Sequence, residues 1–186
     1  MSIKASVFIA TSLDGFIARA NGDLDWLTGG ESTSTGQDYG YQEFMDSVDT
    51  LVIGRNTFEQ VLTFDTWPYS GKRVVVLSSK PNAVPQHLVD SVEWLSLPPQ
   101  QLVERLASQG ATHLYVDGGK TIQGFLSAGL INELIVTRIP VLIGTGIPLF
   151  GPLEGDIKLT HVMTRQFENG FVQSRYRIAD EVASST

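Results

Sequence analysis

The residues best suited to chemistry are Gly118-Gly119-Lys120-Thr121, placed between the apolar run Leu114-Tyr115-Val116 and a helical pattern. Glycines at a strand-to-helix junction let a ligand approach the backbone closely. The unpaired N–H groups and partial positive charge of a helix start attract phosphate. Gly119-Lys120-Thr121 also matches the tail of the P-loop pattern G-x-x-x-x-G-K-[ST], but the first glycine of that pattern falls on Leu114. The nucleoside triphosphate reading fails there, and with it phosphoryl transfer through this turn. A second junction has the same form: Leu51-Val52-Ile53, then Gly54, then Arg55-Asn56-Thr57. On one parallel sheet both junctions face the carboxyl ends of the strands, where ligands sit in open α/β folds. Two adjacent anion sites, with Arg55 and Lys120 beside them, point to a dinucleotide. The Rossmann fingerprint G-x-G-x-x-G is absent, because Gly144-Thr145-Gly146 is followed by Ile147-Pro148-Leu149. The dinucleotide site is therefore of another kind.

Positioning these junctions requires alternating strands and helices. Strand patterns cover Ser6 to Ala10, Thr50 to Ile53, Val74 to Leu77, Val92 to Leu95, His113 to Val116 and Leu134 to Ile139. Helical spacing covers Arg55 to Leu62, Gln100 to Gln109 after Pro98-Pro99, and Thr121 to Ala128 before Gly129. That alternation predicts an α/β layer with a largely parallel sheet. Near the end, Asn169-Gly170 lies between strand-like runs at Lys158 to Gln166 and Phe171 to Ile178. Asn-Gly accepts the positive φ of a tight hairpin turn, so an antiparallel hairpin should finish the sheet. Residues 1–179 read as one domain and residues 180–186 as a frayed tail.

The chain has 186 residues, 42% hydrophobic and 18% charged, with a net charge of -7. That composition suits a folded domain with a sizeable core. The negative charge and the lack of a basic run argue against nucleic acid as a partner. No apolar stretch reaches the ~18 residues of a membrane span, and the N-terminus has no small-residue cleavage site. Cysteine is absent, which removes disulfides, thiolate metal ligands and a cysteine nucleophile. His87, His113 and His161 show no metal-ligand spacing, so no metal is expected. These features fit a cytoplasmic protein.

Short stretches in order and spacing resemble the dihydrofolate reductase superfamily over nearly the whole chain. They are Ala10-Thr11-Ser12-Leu13-Asp14-Gly15-Phe16-Ile17-Ala18, Asp25-Trp26-Leu27, Val52-Ile53-Gly54-Arg55-Asn56-Thr57, Val76-Leu77-Ser78-Ser79, Val116-Asp117-Gly118-Gly119 and the run from Pro140 to Phe150. The sequence is most similar to the branch containing the reductase domain of the bifunctional riboflavin-biosynthesis deaminase-reductase. The resemblance implies a dihydrofolate reductase-like three-layer fold, a mixed central sheet flanked by helices. It implies NADPH as cofactor and hydride transfer to a C=N or imine of a small heterocycle. By position, Gly54, Arg55 and Thr57 would hold the adenosine side. Ser79, with Lys80 next to it, would lie near the 2′-phosphate. Gly118, Gly119, Lys120, Thr121 and Ile122 would form the pyrophosphate turn.

The same resemblance puts Ala10 and Asp14 near the nicotinamide and Trp26 over the ring, and makes Asp117 a substrate-facing carboxylate. Asp14, Asp117 or water would then supply the proton. Asp14 precedes Gly15 and also suits a turn, while Asp117 at a helix entrance also complements the helix dipole. Folate-reducing members carry a further carboxylate after the tryptophan. Glu31 is nearest to that spacing here, and Asp38 is the other candidate. The zinc deaminase half of the bifunctional enzyme needs cysteines and finds none in this chain. A binding protein that keeps the cofactor fold without catalysis is the alternative. The exposed edge of the C-terminal hairpin calls for a partner, and a homodimer is expected.

Overall fold

A computed structural model describes residues 2–27 and 36–179; the expected substrate residue Glu31 and the expected frayed tail at 180–186 lie outside them. The chain runs through β1 (Lys4–Ser12), β2 (Phe16–Ala18), α1 (Tyr41–Ser47), β3 (Thr50–Gly54), α2 (Arg55–Val61), β4 (Arg73–Leu77) and β5 (Val92–Leu95). It continues through α3 (Pro99–Ser108), β6 (His113–Asp117), α4 (Gly119–Ser127), β7 (Glu133–Ile139), β8 (Ile147–Pro148), β9 (Leu159–Gln166) and β10 (Val172–Ile178). Eight strands form one sheet in the order β5-β4-β3-β6-β1-β7-β10-β9. The pairings from β5 to β7 are parallel, and β10 joins β7 and β9 antiparallel. The mostly parallel sheet with its C-terminal antiparallel hairpin is the α/β arrangement expected from the sequence.

Alternation along the strands builds two cores. Leu114 and Val116 of β6 point to one face with Val7, Val52, Leu102 and Ile122, which places α3 and α4 there. Tyr115, between them, points to the other face with Leu51, Ile53, Phe44 and Phe58, which places α1 and α2 there. Three layers follow from the side-chain period of two. Leu114, where a P-loop would need glycine, is fully buried inside β6.

Several elements exceed or escape the sequence patterns. β1 extends past Ser6 to Ala10 at both ends, because Ser6, Thr11 and Ser12 are buried polar residues that hide the apolar alternation. α4 opens at Gly119 rather than Thr121, since Gly118 at φ 98° supplies the turn into the helix. α1 has seven residues with Phe44 and Met45 buried, too short for a helical period to stand out. β2 and β8 pair over only two or three residues beside the main sheet. No helix among the described residues is long and apolar enough to cross a membrane.

Candidate active site

The two glycine junctions meet. Parallel pairing of β3 with β6 sets Ile53 beside Asp117, so Gly54 and Gly118 leave the sheet side by side. A Cβ on Gly118 would lie 2.8 Å from Thr57 Oγ1, and one on Gly54 would lie 3.0 Å from Thr121 Oγ1. The two junctions are thus packed directly against each other, each glycine facing the other junction's threonine hydroxyl with no room for a side chain. Gly119 is equally confined, its Cβ direction meeting Ile147 Cγ2 at 3.1 Å and Pro148 O at 3.3 Å. The small sheet of β2 and β8 therefore presses on the start of α4. Lys120 is exposed at that start and Thr121 is buried. A backbone that must come this close, with hydroxyls and the first N–H groups of α4 around it, suits the phosphates of a dinucleotide.

Beside these junctions, β4 runs parallel to β3 with Gly54 paired to Leu77, so Ser78, Ser79 and Lys80 emerge next to Arg55. Arg55 Nε donates to Glu59 Oε1 at 2.7 Å, and Asn82 Nδ2 donates to the same oxygen at 3.2 Å. Arg55 holds the Glu59 carboxyl below its ordinary range, with Asn82 adding to the effect. Ser79 and Lys80 are exposed. Ile122 is fully buried, and its N–H is bonded to Gly118 O at 2.8 Å, so it anchors α4 to the core.

Asp117 ends β6 on the α1 face. Its Oδ1 accepts the Gly118 N–H at 2.8 Å. The residue keeps partial exposure at the cleft, yet its carboxyl is packed deep, and burial pushes its pKa up to about 6 against the opposing effect of the Gly118 bond. Its charge reaches three phenols on the same face of the sheet. Burial, and then the Asp117 charge, raises the pKa of Tyr41 and of Tyr69. Burial places Tyr115 well above its ordinary value, and its hydroxyl donates to Phe8 O at 3.0 Å. An acid that titrates near neutrality in such a setting can hold and release a proton.

Asp14 is exposed and ties two loops together. Its Oδ2 accepts Gly144 N–H at 2.8 Å and its Oδ1 accepts Ile143 N–H at 3.3 Å. The hydrogen bond from Ser12 does most to lower its pKa, with the Gly144 and Ile143 bonds adding to it. Ala10 pairs with Thr137 across β1 and β7 at the same end of the sheet. Trp26 is buried, and its indole N–H has no hydrogen-bond partner among the described residues. Asp38 caps α1 from two residues upstream, accepting Gly40 N–H and Gln42 N–H at 3.0 Å each. Sequence reasoning missed Tyr41 and Tyr69, since nothing local to either residue signals that the Asp117 charge reaches it. It also missed Glu59, although the i,i+4 spacing from Arg55 was readable. No cluster of three or more metal-ligating side chains occurs among the described residues.

Comparison with known proteins bears on the family and the fold. A family model described as RibD C-terminal domain matches residues 4–173. The uncharacterized protein YwjB of Bacillus subtilis (strain 168) is 34% identical over 169 residues, covering 90% of this chain and 94% of YwjB. A Shewanella sp. PV-4 crystal structure, assigned provisionally to riboflavin biosynthesis, superposes with a TM-score of 0.89 at 41% identity, covering 96% of this chain and all of its own. Dihydrofolate reductase from Enterococcus faecalis, complexed with NADP(H), shares the fold at a TM-score of 0.67 and 17% identity, covering 95% of this chain and 97% of its own.

Proposed function

The chain belongs to the RibD C-terminal domain family, and from that premise we propose that it is an NADPH-dependent reductase delivering a hydride to a C=N or imine of a small heterocycle. The substrate classes are a pyrimidine of the kind found in riboflavin biosynthesis, or a pterin. Family and fold support an oxidoreductase of pyrimidine or folate type. The observation that carries the reading is the meeting of the Gly54–Thr57 and Gly118–Thr121 junctions beside Asp117, a buried acid with its pKa pushed up to about 6.

In this reading Gly54, Gly118, Gly119, Lys120, Thr57 and Thr121 receive the pyrophosphate. Arg55, Ser79 and Lys80 face the 2′-phosphate, where a guanidinium and a hydroxyl can tell NADPH from NADH. Ala10, small and at the cleft end of β1, leaves room for the nicotinamide. When bound, NADPH supplies the hydride. Asp117 holds a proton that it passes to the nitrogen of the reduced C=N bond, and water restores it. Trp26 and the three tyrosines keep bulk water from the reacting bond, and Asp14 holds the neighbouring loop in place.

The test is NADPH consumption by the pure protein with a phosphoribosylamino-uracil and, in parallel, with dihydrofolate. Deuterium from C4-labelled NADPH should appear in the product. Tight NADPH binding with no turnover on either substrate class would favour a cofactor-binding protein instead. A homodimer belongs to the same proposal. It is supported by β9, an eight-residue edge strand exposed along its whole length that includes Leu159, Val162 and Met163. Light scattering checks the mass in solution.

A further inference from the structure

The hairpin of β9 and β10 reaches the start of α1 through one residue. Tyr39 has φ 57°, the left-handed region, and no other non-glycine among the described residues does. Such a conformation is costly for a bulky side chain and persists only where the surroundings over-determine it. Here they do. The Tyr39 ring stacks on Phe171, with centroids 5.2 Å apart, and meets Phe167 edge-on at 4.8 Å. Its hydroxyl accepts from Asn169 Nδ2 at 2.7 Å, and its carbonyl accepts from Gln173 Nε2 at 2.9 Å. Gln173 Nε2 also donates to Thr137 Oγ1 at 3.0 Å, at the cleft end of β7.

Among the described residues, every hydrogen bond and ring contact between the hairpin and the segment from 36 to 47 involves Tyr39. Beneath it, a cavity of about 230 Å³ separates α1 from the hairpin, with Glu43 and Phe44 on one wall and Met163, Arg165 and Arg175 on the other. The hairpin therefore does not brace the body of the helix. One left-handed glycine, Gly40, separates Tyr39 from Tyr41, the first residue of α1. The Tyr41 ring meets Phe8 edge-on at 5.8 Å, and Phe8 O accepts the Tyr115 hydroxyl at 3.0 Å, two residues before Asp117 on β6.

We propose that Tyr39 is a positioning residue, a strut through which the C-terminal hairpin fixes α1 and Tyr41 against the Asp117 end of the cleft. The inference rests on the reading above that this cleft receives the substrate. The strut sets the width of the pocket and the access of water to Asp117. Tyr41, Tyr69 and Tyr115 are the titratable groups on this face whose pKa values burial, and then the Asp117 charge, raise.

The experiment follows the Asp117 carboxyl carbon by NMR titration, together with kcat and KM for NADPH-dependent reduction of the phosphoribosylamino-uracil. The variants are Tyr39→Asn, whose side chain tolerates left-handed backbone, Phe171→Ala, which loosens the strut from the hairpin side, and Tyr39→Phe, which keeps the ring sandwich. Tyr39→Asn and Phe171→Ala should each move the Asp117 titration down toward the ordinary carboxylate range. Each should raise KM by roughly tenfold through lost preorganisation, with NADPH affinity unchanged. Tyr39→Phe should stay close to wild type. An unchanged Asp117 titration and KM in both Tyr39→Asn and Phe171→Ala would overturn the proposal, and Phe171→Ala decides alone if the Tyr39 variant does not fold. A wild-type protein that reduces neither substrate class would sink the proposed function, while the carboxyl titration would still judge the strut.

Discussion

Gly118 and Thr57 come from different strand-to-helix junctions, and a methyl on the glycine would stand 2.8 Å from the threonine hydroxyl oxygen. That closeness joins two local sequence patterns, 61 positions apart, into one packed contact. Gly118 is also held at φ 98°, which side chains other than hydrogen resist.

Gly118→Ala should therefore act twice. The backbone strain and the clash should destabilise the fold by about 1–3 kcal/mol, read by urea unfolding. If the proposed cofactor site is right, nucleotide binding should fall further than stability does, because the added methyl would push aside the Thr57 hydroxyl at the proposed phosphate turn. A variant that binds NADPH like wild type would remove this contact from the cofactor site.

Asp117 makes stability depend on pH in a defined direction. Its folded pKa, about 6, lies above the ordinary 3.8, so protonation favours the folded state. The stabilising contribution is complete below about pH 4 and is lost as pH rises through 6. Asp117→Asn should be more stable than wild type at pH 8, by about 3 kcal/mol, and indistinguishable from it at pH 3. Paired denaturation curves at the two pH values check this. In turnover, wild-type kcat/KM should decline above pH 6 as the proton is lost, and Asp117→Asn should be slow throughout.

Much of this was legible in the sequence. The parallel strands from β3 to β7 follow from strand-like runs alternating with helical spacing, and the Asn169-Gly170 hairpin from turn chemistry; both appear where expected. The two glycine junctions were readable too. Their contact was not, because it depends on the register of β3 against β6, which local patterns do not encode. Tyr41 and Tyr69 escaped for the same reason, being carried within reach of the Asp117 charge by α1 and by the segment before β4. The seven residues of α1 carry too little apolar periodicity to declare a helix, and its start depends on a left-handed Tyr39 that no propensity suggests.

On the proposed function, Arg55→Ala should weaken NADPH by at least about tenfold while leaving NADH nearly unchanged, since the guanidinium would recognise a phosphate that NADH lacks. Glu59→Gln makes the complementary case. It removes a negative charge that holds Arg55 Nε at 2.7 Å. NADPH should then bind a few-fold more tightly, a small effect because the pair is partly exposed and screened. Calorimetry with both nucleotides reads each variant.

Glu133 supplies a control far from the two glycine junctions. Its carboxylate is 3% exposed and accepts from Lys4 Nζ at 2.9 Å, from Ser6 Oγ at 3.2 Å and from Arg175 Nε. Burial works to raise its pKa, and the bonds from Arg175 and Lys4 more than offset this, so the net shift is downward. The stability it adds is present above its ordinary value of 4.5 and is lost as pH falls through the lowered folded value. Glu133→Gln should cost about 1–3 kcal/mol at pH 7 and leave nucleotide affinity untouched.

The most direct test of a dinucleotide site at the meeting of Gly54 and Gly118 is titration of the protein with NADPH and then NADH, followed by nicotinamide fluorescence, with Arg55→Ala and Gly118→Ala alongside. NADPH should bind at least about tenfold more tightly than NADH, Arg55→Ala should abolish the preference, and Gly118→Ala should abolish binding. A folded wild-type protein that binds neither nucleotide would contradict the assignment.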